Sequence, residues 1–469
     1  MVAVLAAFFT LIAAARASPI ESTFKTICSI PNTTTHYVSS PDTRGTLDIL
    51  WTSLFTIIAC TLTVQHLNVP EQREGRDPGW RGDLKWTLKD TWKSLKWMLV
   101  TIIAPELLVA KGLEDIQNAR LRHASLMRFA EEDGVPWSWT HTFLANMGGF
   151  AIRRRHEEHS QPTSKVGNIT SSAIHSENTR IPSVSGTISY VPPNPCHIIA
   201  SGIIFLRQTG HLPRLPYVTE DEINDKSKSN RFIKAIAVTQ IMWTIMQILV
   251  RTKRNLAVTQ LEIAVLAFSV CAIIVYFINW RKPKDVRTPY TLITSPGPIL
   301  NDVVDALSVH YKVEGSLFTG LRLNFKRTRF GDPIPNDFGE RVDENPLSQN
   351  ARSYLLAGFF IGSLVFGGIH ITAWNFSFPT GLELILWRVA SIWCTTFVLF
   401  TVLAIPASLC AFYILGWDEE PWISPFIIFL TASYIIGRLI LLVEIFRTLF
   451  FLPPSAFIAT SASNIPHVS

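Results

Sequence analysis

Seven ionisable side chains stand in or beside long uncharged stretches of this sequence: Glu106, Glu262, His370, Glu383, Arg388, Arg438 and Glu444. An ionisable group at membrane depth is costly, so it normally faces a bundle interior and takes a partner there. Arg438 interrupts the apolar stretch 423–443 instead of capping it, and it calls for a carboxylate from another helix, with Glu106 and Glu262 as the candidates. His370 follows Gly367-Gly368 and precedes Trp374 in an otherwise uncharged stretch. It reads either as a proton-relay group or ligand, or as a histidine satisfied by a helix carbonyl. Glu106, His370, Arg438 and Glu262 are therefore the candidate ligand-binding residues. Glu383, Arg388 and Glu444 sit near the ends of their stretches and read first as structural pairs or anchors; Glu444 and Arg447, three apart, can pair on one helix.

Other chemistries lack their signatures. No phosphate-cradling G-x-x-x-x-G-K-[ST] loop, no H-E-x-x-H and no G-x-S-x-G elbow is present. His156-Glu157-Glu158-His159 spaces its histidines at i, i+3 in a polar stretch and reads as a solvated charge cluster, not a metal site. Cys60, Cys271, Cys394 and Cys410 fall in apolar stretches, where a thiol packs as a small hydrophobe. Cys28 and Cys196 have no zinc or redox spacing, and a disulfide framework is not expected. These residues leave the cofactor unknown.

The elements that must hold these residues are membrane helices. Hydrophobic residues make up 48% of the 469-residue chain and charged residues only 17%, against roughly 25% in soluble proteins. The net charge of +6 is concentrated in particular loops and reads as a topology signal, with no nucleic-acid footprint. Uncharged runs at 49–67, 263–280, 353–375, 389–417 and 421–437 reach or approach the roughly 20 residues a span requires. The run 235–250 becomes a sixth when Phe232 and Ile233 are added and Lys234 snorkels. Trp280, Trp374, Trp387, Trp417 and Trp422 lie at run ends, the depth indole rings prefer. The expected fold is all-α, a polytopic transmembrane helical bundle of about six to seven spans. Within the run 353–375, Gly358 and Gly362 form a G-x-x-x-G that admits a close helix neighbour.

A seventh candidate, 97–110, is short and broken by Pro105-Glu106, so it is either a kinked span or a re-entrant or interfacial segment. Just before it, Leu84, Leu88, Trp92 and Leu95 repeat at helical spacing beside Lys85, Lys89, Lys93 and Lys96. That pattern predicts an amphipathic helix lying on an anionic lipid surface. At the N-terminus, an apolar run ending in Ala15-Arg16-Ala17 fits a cleavable signal peptide. The sequons at Asn32 and Asn375 become glycosylation candidates, with a further sequon at Asn168. If 97–110 does not cross, the two long Lys/Arg-rich loops share one side, as the positive-inside rule prefers.

The expected organisation is a signal peptide at 1–17, a short luminal or extracellular segment at 18–45 and a first transmembrane helix at 46–67. A mainly extramembrane region at 68–232 holds the amphipathic helix 83–97, the segment 97–110 and a disordered polar insertion at 153–190. A transmembrane pair at 233–280, an extramembrane loop at 281–352, three transmembrane helices within 353–447 and a tail at 448–469 complete it.

Several blocks carry a resemblance. They are Ser40-Pro41-Asp42-Thr43-Arg44-Gly45-Thr46, Asn68-Val69-Pro70, Lys96-Trp97-Met98 through Ala104-Pro105-Glu106, Met147-Gly148-Gly149-Phe150, and Gly367-Gly368-Ile369-His370 through Trp374 to Phe378-Pro379-Thr380. Together they resemble a large group of uncharacterised fungal multi-pass membrane proteins with no established activity. The resemblance implies membrane location and a fungal source, and transfers no catalytic residue. Three functional readings are open: a transporter or channel-like protein, slightly favoured by the interior charges and the broken helix; a lipid-modifying enzyme built on His370 and a carboxylate; and a non-catalytic sensor or scaffold.

Overall fold

The structure, a computed structural model, describes residues 43–74, 76–153, 195–227, 231–293, 331–336, 346–415 and 420–460. The expected signal peptide, Cys28, the Asn32 and Asn168 sequons, the polar insertion beyond Arg153 and most of the 281–352 loop lie outside the described residues.

The described chain is all-α apart from three short strands. Its helices are α1 (Thr46–Thr63), α2 (Trp80–Ile103), α3 (Glu106–Asp133), α4 (Trp139–Asn146), α5 (Ala200–Gln208), α6 (Glu220–Lys226), α7 (Arg231–Lys253), α8 (Gln260–Ile278), α9 (Pro346–Ile371), α10 (Gly381–Leu415) and α11 (Glu420–Arg447). Six of them, α1 and α7 to α11, are long and apolar enough to cross a membrane. The chain is an integral membrane protein. Among these six, α8 is the centre: 72% of its apolar window is buried, against 28–44% for the others, whose outer faces are left for lipid. Threonines inside α1 return their hydroxyls to carbonyls one turn back, as Thr56 does to Thr52 (2.8 Å) and Thr61 to Ile57 (2.8 Å). Their polar groups are thereby satisfied without water.

Contacts at both ends fix the helix directions. Arg44, just before α1, pairs with Glu262 at the start of α8 (2.6 Å), and Lys284 beyond α8 reaches the Thr63 carbonyl at the end of α1 (2.5 Å). The helices α1 and α8 therefore run parallel. Gln260 of α8 bonds the Ser377 carbonyl beyond α9 (2.9 Å), and Arg447 at the end of α11 pairs with Glu383 at the start of α10 (2.8 Å). So α1, α8 and α10 run one way, and α7, α9 and α11 return. One end of the bundle carries the chain around residues 43–45, 251–260, 374–383 and 447–458, and is called the terminal face below.

The other end carries a folded cap. Its three-stranded sheet has the order β2-β1-β3, with β1 (Phe150–Ile152) antiparallel to β2 (Cys196–Ile198) and parallel to β3 (Tyr290–Leu292). Leu126, Phe129, Leu144, Phe150, Ile198, Ile203 and Leu212 form a hydrophobic core separate from that of the bundle. Gly148 holds φ +75°, a region that disfavours any side chain. The turn this allows presents the Gly148 carbonyl to His197 Nδ1 (2.8 Å). Sequence reading had this region as mainly extramembrane but did not anticipate its sheet or its core.

Candidate functional site: a buried charge cluster at a helix break

Pro105 lacks the donor a continuous helix needs, and α2 ends at Ile103 with Ala104 in a non-helical conformation. The chain turns back and α3 begins at Glu106. At this break α2 leaves terminal carbonyls without helical partners. Arg438, in the middle of α11, supplies the missing donors: its Nε donates to the Ile103 carbonyl (2.6 Å) and a terminal nitrogen to that of Ile102 (3.2 Å). Its guanidinium also lies 3.9 Å from the centroid of the Phe366 ring, a cation–π contact. Arg438 is thus held by backbone and an aromatic face, and among the described residues it forms no ion pair with Glu106 or Glu262.

Glu106 is 3% exposed and sits in the first turn of α3, where the helix dipole favours a carboxylate. Tyr434 of α11 donates its hydroxyl to one carboxylate oxygen. The other oxygen is buried with no hydrogen-bond partner, and so is one terminal nitrogen of Arg438. Buried orphans of this kind are rare, and each requires an explanation. Close packing holds the break in place. Gly362 faces Glu106 and Gly358 faces Ala110, and a Cβ added at Gly362 would come within 2.6 Å of the Glu106 Cα. The neighbouring cavity, lined by Thr101, Pro105, Phe268 and Cys271 among others, is about 10 Å³, too small for a substrate in this conformation.

His370 lies in the same bundle but does other things. Its Nδ1 donates to the Phe366 carbonyl (2.8 Å), its ring packs against Phe366 and Trp387, and Trp387 Nε1 donates to the His370 carbonyl (3.2 Å). Phe366 touches both His370 and Arg438, yet among the described residues no carboxylate pairs with His370. Glu262 lies at the terminal face. It pairs with Arg44 and closes a capping box with Thr259, whose backbone N–H it accepts at 2.8 Å. Arg447 takes Glu383 and not Glu444. Arg388 donates to the Trp374 carbonyl (3.0 Å). Asn375 is exposed at the terminal face.

Residues 20–188 and 194–314, more than half of the chain, match the model of a family described as a family of unknown function, DUF8562. The chain belongs to this family. No curated protein and no solved structure matches it. In this DUF8562 chain the matched region takes in Glu106 and Glu262 and ends before His370, Tyr434 and Arg438.

Sequence reading missed a second polar cluster, where cap meets bundle. Asp115 accepts both Lys111 (2.7 Å) and Lys282 (2.6 Å), and Lys111 also reaches Glu114 (3.2 Å). Burial pushes the Asp115 carboxyl up, but the two ammoniums outweigh it and hold it below the usual carboxylate value. Lys111, Asp115 and Lys282 line a cavity of about 20 Å³ with Asn146, whose amide nitrogen and oxygen are both buried without a partner. A space of this size with polar walls suits one ordered water. The i, i+3 and i, i+4 spacing of Lys111, Glu114 and Asp115 was a readable signal; Lys282, remote in sequence, was not. Tyr434 and Arg251 were also missed. Arg251 is 1% exposed and donates to the carbonyls of Ala257, Ser455, Ala456 and Ile458, tying the α7–α8 turn to the tail.

Proposed function

We propose that this membrane protein is a transporter or channel-like protein in which Glu106, at the tip of a re-entrant hairpin formed by α2 and α3, binds the transported or coupling ion. The carrying observation is the unpartnered, buried carboxylate oxygen of Glu106 at a break between two helices. Discontinuous helices commonly line binding sites in transporters, because their ends bring unpaired backbone groups and charge to mid-membrane. Both outer ends of the hairpin, at Trp80 and Asp133, lie on the cap side, which supports its entering and leaving by one face. In the packed conformation the site is occluded. Tyr434 then holds the carboxylate while it is unloaded, with the Arg438 charge nearby.

Ion flux into proteoliposomes holding the full chain tests this. The Glu106→Gln variant is expected to lose flux by at least tenfold (about 1.4 kcal/mol of barrier), with its thermal midpoint unchanged. Glu106→Asp retains part of the flux. A wild-type chain that passes neither protons nor common inorganic ions sinks the reading.

The location of His370 between Phe366 and Trp387 favours a packing role, which leaves the lipid-modifying enzyme without support at that residue. The folded cap favours a scaffold. The reading further has the chain entering the secretory pathway through its signal peptide, with Asn32 and Asn375 available for glycosylation. It also lays the N-terminal part of α2 at the membrane surface, with its last turns entering as the hairpin: Trp80, Leu84, Leu88, Trp92 and Leu95 are all exposed along that part.

A further inference from the structure

The four lysines of α2 are not equivalent. Lys85 is taken by Asp77 (2.9 Å) and Lys89 by Glu71 (2.5 Å), which also accepts Arg76 (2.8 Å). These pairs hold Glu71, Arg76 and Asp77 against the helix and neutralise that end of the stripe. Among the described residues neither Lys93 nor Lys96 forms an ion pair. Both line a groove of about 780 Å³ between α2 and the cap, within the range of small-molecule sites. Trp86 and Trp92 stand in its α2 wall, and His197 and the 333–335 segment in its cap wall.

We propose that this groove binds the phosphate-bearing headgroup of an anionic phospholipid, with Lys93 and Lys96 on the phosphate. The proposal rests on the reading that the N-terminal part of α2 lies at the membrane surface. Three observations favour this occupant. Trp92 belongs both to the groove and to the exposed apolar stripe, so the groove opens where lipid headgroups lie. Its cations, Arg76, Lys89, Lys93 and Lys96, outnumber its carboxylates, Glu71, Asp90 and Asp332, by one. Finally, the two lysines without ion pairs stand three apart and so share one helix face. Burial lowers the Lys93 pKa, which the nearby Asp90 charge opposes; an added phosphate would oppose it further.

The test uses the full chain reconstituted in phosphatidylcholine bilayers, with spin-labelled phosphatidic acid and spin-labelled phosphatidylcholine as probes. Electron paramagnetic resonance reads the fraction of each that is held by the protein. Wild type is expected to prefer phosphatidic acid, and Lys93→Gln with Lys96→Gln to lower that preference about fivefold or more. The paired Lys93→Arg and Lys96→Arg variant restores it. Equal preference in wild type and the glutamine variant overturns the proposal, as does displacement of the lipid by millimolar glycerol phosphate, which would make the ligand a soluble phosphate. A fluorophore on Leu88→Cys, with quenchers in the acyl chains, reads the underlying placement of α2. Quenching together with unchanged lipid preference removes only the headgroup site. No quenching removes the surface helix and the site with it.

Discussion

The buried histidines of the cap give its stability a direction in pH. His141 Nε2 donates to the Val218 carbonyl (2.9 Å) and its Nδ1 accepts from Ser138, while His197 donates to Gly148. Both are buried, and burial lowers the pKa of each, with the hydrogen bond to a backbone carbonyl opposing that shift. In the unfolded chain a histidine takes its proton near pH 6.5. Below that value the unfolded cap binds more protons than the folded one, so stability is complete above about pH 6.5 and is lost as pH falls towards the lowered folded values. Each histidine contributes a slope of at most about 1.4 kcal/mol per pH unit. Hydrogen exchange, corrected for its intrinsic pH dependence, is expected to show residues 139–146 and 196–198 losing protection between pH 7 and pH 5, with His197→Asn flattening the change. Unaltered protection across that range would count against neutral histidines in the cap. At this scale sequence located the polar residues better than their partners. Arg438 was visible as an interior charge, but its ligands are the carbonyls of Ile102 and Ile103, and no side-chain pattern encodes which backbone groups a distant helix break leaves open.

Helices were more legible because their signals are local. Span positions follow from apolar run length, and the break at Pro105 follows from a missing donor. The pairing of helices is harder, since a small-residue motif states that something approaches closely without stating what. Gly358 and Gly362 turn out to receive α3, at Ala110 and Glu106, with the spacing of four matched on both helices. That contact joins the hairpin to the bundle, so bulk at Gly362 has a calculable place to act. A Cβ there meets Glu106 Cβ and Cα backbone-side atoms, which cannot swing away as the tip of a flexible side chain would. Gly362→Val is therefore expected to push α3 from α9, at about 1–3 kcal/mol, read as a lowered thermal midpoint in detergent. The same change at Gly381, where no atom lies within 4 Å of an added Cβ, serves as the control and is expected to have little effect. An unshifted midpoint for Gly362→Val would mean that the α3–α9 approach is looser than this geometry.

For the whole molecule, the even number of spans and the position of the ends must agree. Thr43 bridges to Ile458 and Arg44 bonds the Ala456 and Phe457 carbonyls, so the chain around 43 and the tail share the terminal face. Six crossings return a chain to the face it left, provided that α2 and α3 together do not cross. Charge argues the same way from independent residues. The terminal face contributes Arg44, Arg251, Lys253, Arg254 and Arg447, whereas the long basic stretches of α2, α3 and the cap lie opposite. The positive-inside rule then predicts a cytoplasmic cap, and the expected signal peptide, once cleaved, predicts a luminal terminal face. Cysteine labelling decides between this arrangement and a crossing hairpin. Cys60, Cys196, Cys271 and Cys394 are buried, so only Cys28 and Cys410 need removal before new thiols are placed at exposed sites. In sealed microsomes a membrane-impermeant maleimide is expected to label Tyr217→Cys on the cap at once, and Asn375→Cys only after detergent opens the vesicles. Labelling of both before detergent, or of Asn375→Cys alone, breaks the link between the six-span count and the hairpin. Glu106 would then have to be sought in a crossing helix, with the basic loops in the lumen and no cytoplasmic cap to recruit partners.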